Sequence, residues 1–410
     1  MNDGQLICQA CGGDRLEKVL DLGFQPLCNE FMPAAQATGP QTFYPLSLCH
    51  CPKCALVQLD YIVPTGIAFG EQYTYLTGTS RSLVEYFSKL ARELVDRFGL
   101  QPGDVVLEIG SNDGTFLTAF KSLGMVVLGV EGAEQPAAIA KERGVPTIDR
   151  FFGTGSANAV REQLPPGKSI RLILGMNVLA HTDNINEFLP LVVDLMEEDS
   201  VFISQSHWLT ALIRNFEFDT IYHEHLRYYT LESLTNLFEQ HGLNVMDAEV
   251  KDFYGGSVLV YASKVSGATS PGLEVVKEQE AAIDVVQSLK DMKQVLLQNK
   301  AHLLSLLVDL KSQGKRVIGV GAPMKASTLL NFYGITPDLV EYLAEVNELK
   351  IGTVVPGVRI PVIREDEVFL DPPDYAILLS WNMADAIIPK YRESGYKGKF
   401  ILPVPHVEIL

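Results

Sequence analysis

The chain reads as a three-part α/β protein: a cysteine-rich N-terminal module, a central doubly wound domain and a smaller second nucleotide-fold domain at the C-terminus. Three observations carry this. Cys8/Cys11 and Cys51/Cys54 form two Cys-x2-Cys pairs within the first 70 residues. An apolar strand enters the turn Gly110-Ser111-Asn112-Asp113-Gly114, with Glu131 further on. A second apolar strand enters another glycine turn at Gly319-Val320-Gly321. The expected division is a module over 1–70, a central domain over 71–270, a helical bridge over 271–313 and a C-terminal domain over 314–410.

At 410 residues the chain exceeds what one hydrophobic core usually serves. Its 47% hydrophobic and 20% charged residues are globular composition. The net charge of −17, with no dense Lys/Arg run, argues against nucleic acid or an anionic membrane as a partner. The N-terminus has no basic and apolar regions of a signal peptide, and no apolar stretch is long enough to span a bilayer. The expectation is a soluble cytoplasmic protein, where paired cysteines read as metal ligands before disulfides. The two-residue spacing lets both thiolates of each turn face one ion, and Gly12 lets the first turn close. Four thiolates from Cys8, Cys11, Cys51 and Cys54 leave no open position on Zn2+, so the site is expected to be structural. The bland alternative is four buried or redox thiols. Cys28 and Cys49 have no role in this reading.

In the central part, apolar residues recur at helical spacing over 80–98, and Gly99 supplies the stop. A buried strand over 104–109 precedes the glycine turn. A helix through Phe116, Leu117 and Phe120 follows, then a strand over 125–130 and a helix over 133–143. Later strands are expected at 171–176 and 201–205, with an antiparallel pair at 243–250 and 257–264. Residues at the carboxyl ends of parallel strands line the ligand crevice, which directs attention to Asn177, His181, Gln205 and the loop beyond.

The turn lacks a third glycine. With Glu108 before it, it resembles the first motif of class I S-adenosylmethionine (SAM) methyltransferases. That cofactor carries no pyrophosphate, so the turn needs close backbone approach to an amino-acid moiety and not a phosphate cradle. Glu108, Gly110, Asn112, Asp113, Gly114, Glu131 and Asn177 form the expected cofactor set, with Glu131 placed to accept from the ribose hydroxyls. A dehydrogenase is the alternative reading of the same turn.

The run Tyr222-His223-Glu224-His225 lies in the loop beyond Gln205. One reading is a polar lid with a satisfied histidine. The sharper reading is proton chemistry: methylating carbon needs a base, a carboxylate to orient it, and donors for the oxyanion that forms. Towards the C-terminus, 272–313 reads as charged helix and 315–318 as a strand entering Gly319–Thr328, with a further strand end near Trp381-Asn382. Lys325 stands where a dinucleotide fold would want its third glycine. With Ser327, Thr328 and a helix N-terminus it suits an anionic group such as a diphosphate; a vestigial packing domain is the alternative.

Taken together, the cysteine pairs, Glu-Ile-Gly-Ser-Asn-Asp-Gly, Asn-Val-Leu-Ala-His, Tyr-His-Glu-His and Gly-Val-Gly-Ala-Pro-Met-Lys resemble, in order and over essentially the whole chain, the zinc-containing SAM-dependent nucleotide-sugar C-methyltransferases. The resemblance implies a nucleoside-diphosphate-linked 4-keto-deoxysugar as substrate. It implies His225 as general base with Glu224 beside it, and Tyr222 and His181 at the sugar and the developing enolate. A tyrosine after the zinc module also belongs to that site, with Tyr75 preferred over Tyr73. Competing readings are an O- or N-methyltransferase, which would leave the His/Tyr cluster under-used, and a non-catalytic nucleotide-sugar-binding protein, which would tolerate loss of Glu108, Glu131 or His225. A zinc-ribbon nucleic-acid methyltransferase is disfavoured by the charge.

Overall fold

The computed structural model describes residues 6–68, 76–253, 255–267 and 270–410. Tyr73, Tyr75 and Tyr254 lie outside them.

The N-terminal module is a small antiparallel sheet, Glu17–Gln25 against Tyr44–His50 against Val57–Leu59. Its fourth strand comes from far along the chain: Arg227–Tyr228 pairs antiparallel with Val57 and Gln58. The segment directly after the histidine run is thus stitched into the module.

The central sheet is ordered, by residues, 244–251, 257–263, 201–207, 170–176, 105–109, 126–131, 147–149. The five strands from 201–207 to 147–149 are parallel, and 257–263 inserts antiparallel beside 201–207. All five residues of Val105–Ile109 are buried, as expected of a strand covered by helices on both faces. The strand order reverses between 105–109 and 170–176. Ligands bind at such a switch point, and here the Gly110 turn and Asn177 flank it.

The C-terminal sheet repeats the plan: 362–364, 343–345, 317–320, 375–378, 399–402 and 408–409, parallel except the last. Its switch point falls between 317–320 and 375–378, where Lys325 and Asn382 meet. The expected bridge is two helices, Pro271–Ala281 and Val285–Ser312, broken where Asp284 caps the second by accepting from Gln287 N–H. Leu289, Met292, Leu296, Leu303 and Leu307 of the long helix are buried in one core with Val19 and Leu20 of the module, Leu209 and Leu212 of the central domain and the C-terminal sheet. No helix among the described residues is long and apolar enough to cross a membrane.

Candidate active site

The metal site is assembled by two closed turns. Gly12 N–H bonds Cys8 O and Ala55 N–H bonds Cys51 O, with Gly12 at φ 68° and Ala55 at φ 59°. Backbone N–H groups of Ala10 and Cys11 aim at the Cys8 sulfur, and those of Lys53 and Cys54 at the Cys51 sulfur. The four Sγ atoms lie within 4.8 Å of one another, with Cys8–Cys54 at 3.5 Å and Cys11–Cys51 at 3.6 Å. Tetrahedral zinc with bonds of about 2.3 Å needs sulfurs about 3.8 Å apart, so the donor set fits Zn2+. Cys49 is buried outside this cluster.

At the cofactor turn, Gly110, Asn112 and Gly114 all have positive φ, and Asn177 opposite them has φ 56°. A Cβ on Gly110 would sit 3.1 Å from Val178, so only glycine lets the turn lie this close to the strand end. Glu108 is buried, and its Oε2 has no hydrogen-bond partner among the described residues. Burial, with Glu131 and Asp113 nearby, holds its carboxyl well above the ordinary range. An orphaned acid in a ligand crevice fits a cationic group such as the ammonium of SAM. Glu131 accepts from Asn112 N–H and Ala133 N–H, each at 2.8 Å, and still borders the crevice. Two expectations are corrected. Asp113 faces away: it accepts from Gly78 N–H at 2.8 Å and Thr115 Oγ1 at 2.6 Å and pairs with Arg143 at 3.2 Å, so it braces the turn from behind. Gly114 packs against Ala140 and Val145 and does not border the cavity.

Tyr222, His223 and Glu224 are buried, and Ile221 and Leu226 on either side are core residues. Burying those two flanks is worth about 1.5–3 kcal/mol each, so the run is a fixed wall and not a polar lid. His225 Nδ1 lies 2.9 Å from Thr220 O and must donate its proton there, which leaves the Nε2 lone pair facing Tyr222 Oη at 3.0 Å. The ring stays partly open to the cavity. Burial and the neighbouring His181 and His207 push its pKa well below the ordinary value, so His225 is the neutral, base form at pH 7. The His181 ring lies tilted beside it, with centroids 4.9 Å apart, and donates Nδ1–H to Glu224 O at 2.7 Å; burial brings its pKa to about 4.

The Glu224 carboxylate does not orient His225, contrary to the expectation; the Thr220 carbonyl has that task. Glu224 instead accepts from Cys28 Sγ at 2.9 Å and Asn29 Nδ2 at 3.2 Å, and burial raises its carboxyl to about 7. Gln205 is fully buried and held by Tyr86 Oη at 2.7 Å, behind the crevice. His223 bonds Pro45 O at 3.1 Å and fixes the run to the module. Buried Arg227 donates to the carbonyls of Leu179, Thr182 and Asp183 and so locks the His181 loop.

On the C-terminal side Lys325 borders the cavity, bonds Asn382 Oδ1 at 3.0 Å and lies 3.8 Å from the buried Asp219 carboxylate. Part of its charge therefore answers Asp219, which also accepts from Trp381 Nε1 at 2.7 Å. Ser327 and Thr328 are buried behind it; Thr328 donates to Ile221 O at 3.1 Å and Ser327 accepts from Asn331. Neither borders the cavity, and the anion contact expected of them gives way to a positioning role. Partly buried Lys350, absent from the sequence reading, also borders it and donates to Ala322 O at 2.7 Å. One cavity of about 1570 Å³ runs from Glu108 and Glu131, past Tyr222, Glu224 and His225, to Lys325, Lys350 and Asn382. Single-ligand pockets are commonly about 300–1,000 Å³, so two small molecules fit.

Sequence had no signal for Cys28, Asn29 or Lys350, because each is brought in by packing between domains. His207 and Glu217 were also missed, although the position of His207 at a strand's carboxyl end could have marked it.

Family models match three consecutive parts of the chain: "Putative zinc binding domain" over residues 8–69, "Methyltransferase domain" over 83–248 and "C-methyltransferase C-terminal domain" over 252–405. The C-methyltransferase NovU of Streptomyces niveus is 33% identical over 412 residues, covering 98% of this chain and 96% of that protein. Among solved structures, a SAM-dependent methyltransferase of Thermotoga maritima, titled a possible histamine N-methyltransferase, is 20% identical. It covers 45% of this chain and 92% of its own, with a TM-score of 0.33. The magnesium protoporphyrin IX methyltransferase of Synechocystis with bound SAH is 15% identical over 44% of this chain and 83% of its own, with a TM-score of 0.34. At these scores neither structure adds to the assignment. With four sulfurs at zinc spacing, an orphaned acid at the SAM turn and a relative matched nearly end to end, the chain belongs to the zinc-containing, SAM-dependent C-methyltransferases.

Proposed function

We propose that the protein methylates the carbon beside the ketone of a nucleoside-diphosphate-linked 4-keto-deoxysugar. The supporting observation is the single cavity that joins the SAM turn, the His225–Tyr222 pair and the C-terminal switch point, large enough for cofactor and sugar nucleotide together. SAM, when bound, supplies an electrophilic methyl group. Glu108 and Glu131 would hold its ammonium and ribose ends, with Gly110, Asn112 and Asn177 shaping the turn. His225 Nε2 takes the proton from carbon, since its other nitrogen is committed to Thr220 O. Tyr222 Oη, bonded to Nε2 before the reaction, is displaced towards the sugar as that nitrogen becomes protonated. His181 and Glu224 complete the wall, and Tyr75 is kept as a member of the site. Lys325 and Lys350 face the diphosphate half.

Methyl-labelled SAM incubated with 4-keto sugar nucleotides and with matched sugars lacking the ketone tests the reading. Label is expected on a ring carbon and only with the ketones. Label on oxygen or nitrogen, or turnover of the ketone-free sugars at the same rate, would overturn it.

A further inference from the structure

Apart from the Tyr222–His225 pair, the cavity holds an imidazole paired with a carboxylate. His207 ends the strand Val201–His207, on the carboxyl edge that also delivers Asn177. Its Nε2 lies 3.0 Å from Glu217 Oε2. Glu217 is 2% exposed and packs so closely on Gly255 that a Cβ there would lie 2.1 Å from Oε1. Gly255 also has φ +80°, so the turn before the strand Ser257–Ser263 admits this carboxylate only because the residue is glycine. His207 Nδ1 has no hydrogen-bond partner among the described residues. His207 borders the main cavity and also a small recess shared with Asn177, His181 and His225.

We propose that His207, held by Glu217, is a catalytic hydrogen-bond donor to the ketone oxygen. This rests on the ketosugar reading. Removing the proton beside a ketone sends the C–H electron pair into the new carbon–carbon double bond and the carbonyl pair onto oxygen, while the proton goes to His225 Nε2. The oxygen's new charge needs a hydrogen-bond donor. Tyr222 Oη is engaged by His225 Nε2 until that nitrogen takes the proton, and His181 Nδ1 is given to Glu224 O. An imidazole whose Nε2–H is donated to a buried carboxylate can carry a second proton on Nδ1, because the carboxylate stabilises the imidazolium. His207 borders the cavity, and Nδ1 is the ring nitrogen that Glu217 does not occupy. As the enolate carbon accepts the methyl group, the charge leaves oxygen and His207 keeps its proton. One proton leaves overall, on His225.

The test uses the zinc-loaded full chain, a 4-keto sugar nucleotide that the wild type turns over, and exchange of the proton beside the ketone in deuterated water. His207→Ala should lower kcat by about 10²–10³-fold, the usual worth of an oxyanion donor, with KM and SAM affinity nearly unchanged. Exchange should slow in parallel, and added imidazole should restore part of both. Glu217→Gln should lower kcat about tenfold with KM unchanged, as for a positioning residue. Wild-type exchange and turnover in His207→Ala would overturn the proposal while leaving the substrate reading standing. So would joint loss of melting temperature and SAM binding without imidazole rescue. A wild type that acts on no 4-keto sugar nucleotide removes both.

Discussion

Glu224 offers a perturbation whose sign and size follow from its surroundings. The carboxyl is 2% exposed, receives hydrogen bonds from Cys28 and Asn29 among the described residues, and stands at about 7 against an ordinary value of 4.5. Because the folded value is raised, the unfolded chain ionises from about pH 4.5 upward while the native protein resists until about 7. Native stability is therefore lost across that window, and the loss is complete above it. Moving a carboxyl that far costs about 3 kcal/mol at 25 °C. Glu224→Gln removes the titration at the expense of turning an amide nitrogen towards one of two donors, worth about 1 kcal/mol. The variant's stability relative to wild type should then rise by about 2 kcal/mol between pH 5.5 and pH 8. Urea titration of both zinc-loaded proteins at the two pH values reads this directly, and zinc-ligand protonation cancels in the difference. A stability difference that is the same at both values would show that Glu224 is ionised in the native protein and the reasoning false.

Purified protein should carry one zinc per chain, and chelation should lower its melting temperature and its activity together, because the module supplies Cys28 and Asn29 to Glu224; full activity after metal removal would refute that coupling. Glu131→Ala should weaken SAM binding, read by calorimetry, through loss of a charged acceptor worth about 1.5–3 kcal/mol. Lys325→Ala should raise KM for the sugar nucleotide and leave SAM affinity intact. It should also cost stability, since Asp219 loses the cation 3.8 Å away. Lys350→Met should give the KM effect with a smaller cost, as no carboxylate among the described residues pairs with Lys350, whose ammonium donates to Ala322 O; unchanged KM in both variants would leave the C-terminal domain as packing alone.

The order of motifs made the architecture legible. An apolar strand entering a glycine turn occurs twice, and hydrophobic runs 105–109 and 317–320 are buried end to end. Boundaries moved by one or two residues because strand ends are set by pairing: Glu131 extends its strand by pairing with Asp149. What could not be read were contacts across distant sequence. The fourth strand of the module comes from Arg227–Tyr228, and Cys28 reaches Glu224 over 196 positions. Asp113, Ser327 and Thr328 show the converse error. Their residue types and positions suited ligands, but the backbone and Arg143 already use them. The adjacency of Glu224 to His225 suggested an orienting pair, yet neighbouring side chains in this segment point to different partners.

The central claim is that His225 removes the proton beside a ketone. Wild-type protein, with a non-reactive SAM analogue present, should exchange that proton of a 4-keto sugar nucleotide with deuterated water. His225→Ala should lose exchange and methylation together by about 10²–10⁴-fold, the worth of a positioned base, while binding SAM as the wild type does. Exchange at the wild-type rate in His225→Ala would contradict the account and pass the role of base to His181.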